Sequence, residues 1–160
     1  MKVIHNIKPI YNENSKILIL GSMPSVKSRE EKFYYAHKTN KFWKIINILF
    51  NVNLNTVEEK MKFLIENNIA IWDTIKSCEI EGSKDSTIKN IKVNNIQKIT
   101  KNSNIKHIFC IGNTSYNVFV KNIKTSIPIT KLPSTSSANA KYKIDDLVKK
   151  FKLIKEILEK

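Results

Sequence analysis

The 160-residue chain has only two cysteines and one arginine, half as many acidic residues as basic ones, and no long apolar run. Cys78 and Cys110 cannot build a four-cysteine zinc or iron–sulfur site and do not read as a disulfide framework; they read as small buried hydrophobes, and neither a metal nor a cofactor is expected. No stretch approaches the ~20 apolar residues that span a membrane. Met1 to Tyr11 lacks the charged start, apolar segment and small-residue cleavage site of a secretory signal, so a cytoplasmic protein with no membrane partner is expected. Of the 28 basic residues 27 are lysine, Arg29 being the exception, and Ile, Lys and Asn together fill 72 positions. A·T-rich coding produces such a bias, which weakens lysine excess as evidence of function. A net charge of +14 nevertheless attracts polyanions, nucleic acid ahead of an anionic membrane surface.

What is present can build a core. Hydrophobic residues make up 41% of the chain, with seven Phe, five Tyr and two Trp, and the length suits one domain over residues 1–160 without a separable linker. Four short apolar runs read as strands: Ile17 to Leu20 before Gly21, Ile69 to Trp72 before Asp73, His107 to Ile111 before Gly112, and Ile127 to Thr130 ahead of Leu132. Their apolar residues are continuous rather than alternating, as in strands covered on both faces. Helical spacing falls between them. Residues 41–50 carry Phe42, Trp43, Ile45, Ile46, Leu49 and Phe50, and Thr56 with Glu59 forms a capping box. Ser86 is expected to cap a helix carrying Ile88, Ile91, Ile96 and Ile99, and Thr114 to open another with Val118 and Phe119. A last helix runs from Ile144 to Leu158. Alternating strands and helices predict an α/β fold, a three-layer α/β/α sandwich around a four-stranded parallel sheet. Its binding crevice lies at the carboxyl ends of the strands.

The loops at those ends carry the candidate chemistry. Gly21-Ser22-Met23-Pro24-Ser25 has small, turn-prone residues that admit a ligand to the backbone; Tyr34, Tyr35, His37 and Asn40-Lys41-Phe42-Trp43 follow. Leu132-Pro133-Ser134-Thr135-Ser136-Ser137-Ala138-Asn139-Ala140 offers hydroxyls and amides without bulk. Aromatics beside a serine-rich loop on a basic chain suit a stacked base next to held phosphates. Asp73 and Asn113 end the second and third strands and point into the same crevice if the sheet is right, or serve as turn residues.

GSMPS, YYAHKTNKFW, GSKDS and LPSTSSANA, in this order and spacing, resemble the uracil-DNA glycosylase superfamily, and most closely its hypoxanthine-DNA glycosylase branch. The resemblance runs from about Ile17 to Ala140. It implies a four-stranded parallel sheet and a monofunctional, cofactor-independent hydrolysis of the N-glycosidic bond of a deaminated base flipped out of DNA. It implies a base pocket at Gly21, Ser22, Met23, Pro24, Tyr35 and His37, with Tyr35 stacking on the base. Asn40 takes the catalytic place, because Gly21 to Ser25 lack the water-positioning Asp or Asn of other members; Asn113 and Asp73 are further catalytic candidates. An amide bonds a water or a purine and stays neutral at every working pH; Asn40 also suits a helix cap. DNA contacts are implied for Ser25, Lys38, Ser134, Thr135, Ser136, Ser137 and Asn139. Lys38 and Ser137 replace prolines usual in the family, which loosens two loops. Uracil or mismatch excision within the superfamily, and a non-catalytic nucleic-acid-binding domain, are the alternative readings. A monomer is the family expectation.

Overall fold

The computed structural model describes residues 1–5 and 7–160. A short strand, β1 (Lys2–Ile4), precedes the first fully buried run, β2 (Ile17–Gly21). The next loop holds α1 (Val26–Glu31) and leads to α2 (Phe42–Phe50) and α3 (Val57–Glu66). β3 (Ile69–Asp73) passes almost directly into β4 (Ile75–Glu79), and a 3-10 turn (Asp85–Thr87) precedes β5 (Lys89–Val93). Then come α4 (Ile96–Lys101), β6 (His107–Ile111), α5 (Asn113–Asn122), β7 (Ile129–Leu132) and α6 (Ile144–Leu158).

β3, β2, β6 and β7 form, in that order, a parallel four-stranded sheet, as the apolar runs predict. Successive side chains on a strand point to opposite faces. Ile17, Ile19, Ile69, Ile71 and Phe109 therefore pack with Phe42 and Ile46 of α2, Leu64 of α3 and Phe151 of α6. Leu18, Leu20, Ala70, Ile108 and Cys110 pack with Ile96 and Ile99 of α4 and Phe119 of α5. Burial on both faces explains why these runs show no polar alternation. The capping box at Thr56 is formed: its hydroxyl accepts from the Glu59 amide, and the Glu59 carboxylate accepts from the Thr56 amide.

The stretch from Ser86 to Ile99 is not the single helix its spacing predicts. It is the 3-10 turn, then β5, then α4, which starts only at Ile96. β5 pairs antiparallel with β4, and β4 with β1, making a second, three-stranded sheet. The open edge of β4 outcompetes the helical pattern: Val93 lies opposite Ile75, while Ile91 is 37% exposed and lines no helix face. The turn into α4 is fixed by buried Asn94, whose side-chain amide donates to the Asp73 carbonyl at 2.8 Å. Likewise α5 starts at Asn113 with Gly112 as its cap, so Thr114 lies in the first turn instead of opening the helix. No helix among the described residues is long and apolar enough to cross a membrane.

Phe109, fully buried at the centre of the sheet, is expected on truncation to alanine to lower the unfolding free energy by about 3–5 kcal/mol in urea titrations. Ile48→Ala, on the 49% exposed face of α2, should change it by no more than about 0.5 kcal/mol.

Candidate active site

The carboxyl ends of the parallel strands open into a cleft of about 700 Å³, within the range of small-molecule sites. Gly21 to Ser25, Tyr35, His37, Asn40, Asp73, Asn113, Ser134 to Ser137 and Asn139 all line it. Of the residues singled out in the sequence only Lys38 is outside the lining; it is exposed on the adjoining loop.

Each side chain is held by identifiable contacts. The Asn40 Oδ1 accepts from the Phe42 amide at 2.9 Å, an Asx turn that leads into α2. Lys41 is the formal cap residue and makes no side-chain cap bond, so Asn40 supplies the cap from one position further out. This bond fixes the amide plane and leaves the Nδ2 hydrogens without a protein acceptor among the described residues. Tyr35 adopts a left-handed backbone conformation, φ 53°, which costs a bulky residue about 1–3 kcal/mol. One face of its ring stacks on Phe42, with centroids 4.1 Å apart and planes 15° from parallel.

The rim loops are tied to one another. Thr39 Oγ1 lies 2.7 Å from the His37 Nδ1 and 3.1 Å from the Ser137 Oγ, and the Lys41 amide donates to the Thr135 carbonyl at 2.9 Å. Inside the second loop, Ser134 Oγ accepts from the Ser136 amide, Ser136 Oγ from the Ala138 amide, and the Asn139 side chain donates to the Ser134 carbonyl. Ser25 caps α1 by accepting from the Ser28 amide. Asn113 is exposed at the first position of α5, and Gly112 before it has φ 88°, which glycine adopts freely.

The floor contains two acids. Asp73 is 4% exposed, and among the described residues its Oδ2 has no hydrogen-bond partner; the hydroxyl of Tyr35 is likewise buried and has none there. A Cβ on Gly21 would lie 2.6 Å from the Asp73 Oδ1 and 3.0 Å from the Tyr35 hydroxyl, so only glycine lets both reach the end of β2. Burial, with a smaller contribution from the charge of Asp85, pushes the Asp73 carboxyl well above the usual carboxylate range. Burial, then Asp73, push the Tyr35 hydroxyl up as well. Asp85, an exposed residue whose carboxyl is tucked inward, is raised by burial and partly offset by the Ser22 and Thr114 hydroxyls; Ser22 Oγ donates to it at 2.8 Å.

In the sequence GSKDS is among the segments that carry the resemblance, with no role assigned to Asp85. The fold makes that segment a clasp: Ser83 Oγ accepts from the Val26 amide, Arg29 donates to the Gly82 carbonyl, and Asp85 holds Ser22. Tyr34, whose hydroxyl donates to the Lys8 carbonyl, also lines the floor. Nothing in their spacing separates these two from ordinary turn and core residues.

The sequence profile of the uracil DNA glycosylase superfamily matches residues 8–160. A hypoxanthine DNA glycosylase of Methanosarcina acetivorans is 32% identical over 136 residues, covering 83% of this chain and 86% of that one. A protein of the same name from Methanosarcina barkeri is 34% identical over 88 residues, 54% of this chain and 56% of its own. A solution NMR structure of a protein from Methanosarcina acetivorans, provisionally named a uracil DNA glycosylase, superposes with a TM-score of 0.78 at 28% identity. That alignment covers 97% of this chain and 99% of the other.

Gly21→Ala is expected to lower the unfolding free energy by about 1–3 kcal/mol in urea titrations, because the Asp73 carboxyl must move. A second expectation concerns pH. The folded-state values of Asp73 and Asp85 lie above the unfolded one, so the folded chain binds more protons and stability falls as pH rises through those values. The lowered histidines His5 and His107 act below about pH 6.5 and so do not interfere above neutrality. Relative to Asp73→Asn, a comparison in which the histidine contributions cancel, the unfolding free energy should decline as pH rises from about 4, the unfolded-state range of a carboxyl.

Proposed function

The chain belongs to the uracil DNA glycosylase superfamily, and from that premise we propose that it excises hypoxanthine, the deamination product of adenine, from DNA as a monomer in base excision repair. The observation that carries this reading is the convergence of Asn40, Asp73, Tyr35 and the Ser134 to Ser137 loop on one cleft of about 700 Å³ in a chain whose named relative is a hypoxanthine DNA glycosylase. A base within a duplex cannot reach such a floor, so the nucleotide must first be extruded.

The C1′–N9 bond then breaks with its electron pair leaving on the base, and the sugar becomes oxocarbenium-like. Water adds to C1′ and loses a proton to solvent, the departed base anion takes one up from solvent, and free hypoxanthine and an abasic site result. Catalysis consists of stabilising charge on the leaving base and placing the water. Asn40 suits this work because its oxygen is fixed by the Phe42 amide, which aims the free Nδ2 donor without further reorganisation. The second loop, braced by its own hydroxyl-to-amide bonds, presents backbone amides and hydroxyls toward phosphates beside the flipped nucleotide.

The lysine surplus assists encounter. Among the described residues only Lys27–Glu31 and Lys62–Glu66 form ion pairs, both on exposed helix faces, so the net charge of +14 acts mainly on the surroundings. Binding should weaken with salt.

Duplexes carrying one deoxyinosine, one deoxyuridine or one G·T pair, cleaved by alkali after incubation, test the proposal. Deoxyinosine is expected to react fastest. Preferred release of uracil or thymine would reassign the base, and no product from any duplex would remove the enzymatic reading. Asn40→Ala should lower the single-turnover rate on deoxyinosine by about 10²–10³-fold while duplex affinity stays within a few-fold.

A further inference from the structure

Asp73 and Asp85 lie on either side of the Gly21–Ser22 turn, and the two differ in what surrounds them. Asp73 reaches the Gly21 backbone from β3, is 4% exposed, and leaves one oxygen with no partner. Asp85 comes from the 3-10 turn, accepts from Ser22 at 2.8 Å and has the Thr114 hydroxyl on it as well. Among the described residues neither carboxyl is paired with an ammonium or guanidinium group. The titratable groups facing Asp73 are Tyr34 and Tyr35 from the loop after β2 and Asp85; Cys110 of β6 lies beyond Tyr35. His37 and Lys84 are on the cleft wall.

A buried carboxylate without a cation is strongly disfavoured, and the charge of a second acid on the adjoining residue of the same turn disfavours it further. The better solvated member, bonded by hydroxyls, takes the charge, and the other keeps a proton. We propose that Asp73 holds the departing base as an uncharged acid, and that Asp85 is the positioning residue that keeps the proton on Asp73 while clasping Ser22.

This rests on the glycosylase reading and specifies how the site meets its substrate class. A deaminated base presents an adjacent carbonyl and N–H. An uncharged carboxyl offers an O–H donor and a carbonyl acceptor, which match that pair. As negative charge builds on the leaving base, the O–H bond strengthens, whereas a carboxylate would repel it. Base departure does not require this proton to transfer; the bond alone stabilises the anion. The Tyr35 hydroxyl, buried beside Asp73 and unpartnered, supplies a second donor on the same floor.

An amide keeps the same donor and acceptor but cannot ionise. Asp73→Asn should therefore retain single-turnover excision at pH 7 within about ten-fold, and Asp73→Ala should lose about 10²-fold or more. Equal loss in the two variants, each folded by circular dichroism, would overturn the proposal. Carbon-13 NMR of labelled aspartate in the free protein gives an independent reading. The Asp73 carboxyl carbon should report a protonated group at pH 7, and Asp85→Asn should move its titration to lower pH. An ionised Asp73 at pH 7, or a titration unmoved by Asp85→Asn, would also overturn it. The NMR experiment needs no substrate, so failure of the glycosylase reading and failure of the acid pair are separable.

Discussion

The cleft floor depends on the missing Cβ at Gly21. At the end of β2 a Cβ on this residue would lie 2.6 Å from the Asp73 Oδ1 and 3.0 Å from the Tyr35 hydroxyl, so a larger residue would displace the Asp73 carboxyl and crowd the tyrosine. Around that contact the remaining parts assemble: Ser22 turns to Asp85, Tyr35 lies on Phe42, and the Phe42 amide holds Asn40. The floor is thus specified by close approach and stacking, and it keeps two buried polar atoms unpaired among the described residues. A fully satisfied network would be more stable and would have nothing to offer a base. The unpartnered Asp73 Oδ2 and Tyr35 hydroxyl are the local cost of binding a ligand there.

The parallel sheet gives this floor its rigidity. With both faces of β2, β3 and β6 covered by helices, the strand ends are fixed, and the chemistry resides on loops between them. Those loops brace one another across the cleft: Lys41 to Thr135, Thr39 to Ser137, and the GSKDS clasp to Val26, Arg29 and Ser22. Next to Lys38, the Thr39 to Ser137 bond links the two loops directly.

The parts of the fold legible in the sequence were those whose signal is local. Strands buried on both faces read as unbroken apolar runs, and the Thr56 capping box and the periodic face of α6 are complete within a few residues. The second sheet was not legible, because β1 and β5 are largely exposed and pair only with the edges of β4, whose own burial is broken by Lys76. Ile88, Ile91, Ile96 and Ile99 happen to fit a helical spacing that the edge of β4 overrides. For the site, small residues and amides near strand ends were sufficient to find the cleft. The role of Asp85 was invisible, since it depends on a contact with Ser22, 63 positions away in sequence. Tyr35 illustrates a partial reading: an aromatic in the pocket was expected, but not its left-handed backbone or its buried hydroxyl.

Charge sets the approach to DNA and says little about chemistry. The lysines are largely free of acidic partners among the described residues, while the reactive groups in the cleft are neutral amides, hydroxyls and a buried acid. This division makes the position of the base the central question. A crystal structure with a duplex carrying a 2′-fluoro-deoxyinosine, whose glycosidic bond resists cleavage, tests it most directly. The account predicts the hypoxanthine ring out of the duplex, with its carbonyl and N–H edge within hydrogen-bond distance of Asp73 or Asn40. A base left stacked in the helix, or bound away from the Gly21 floor, would contradict it.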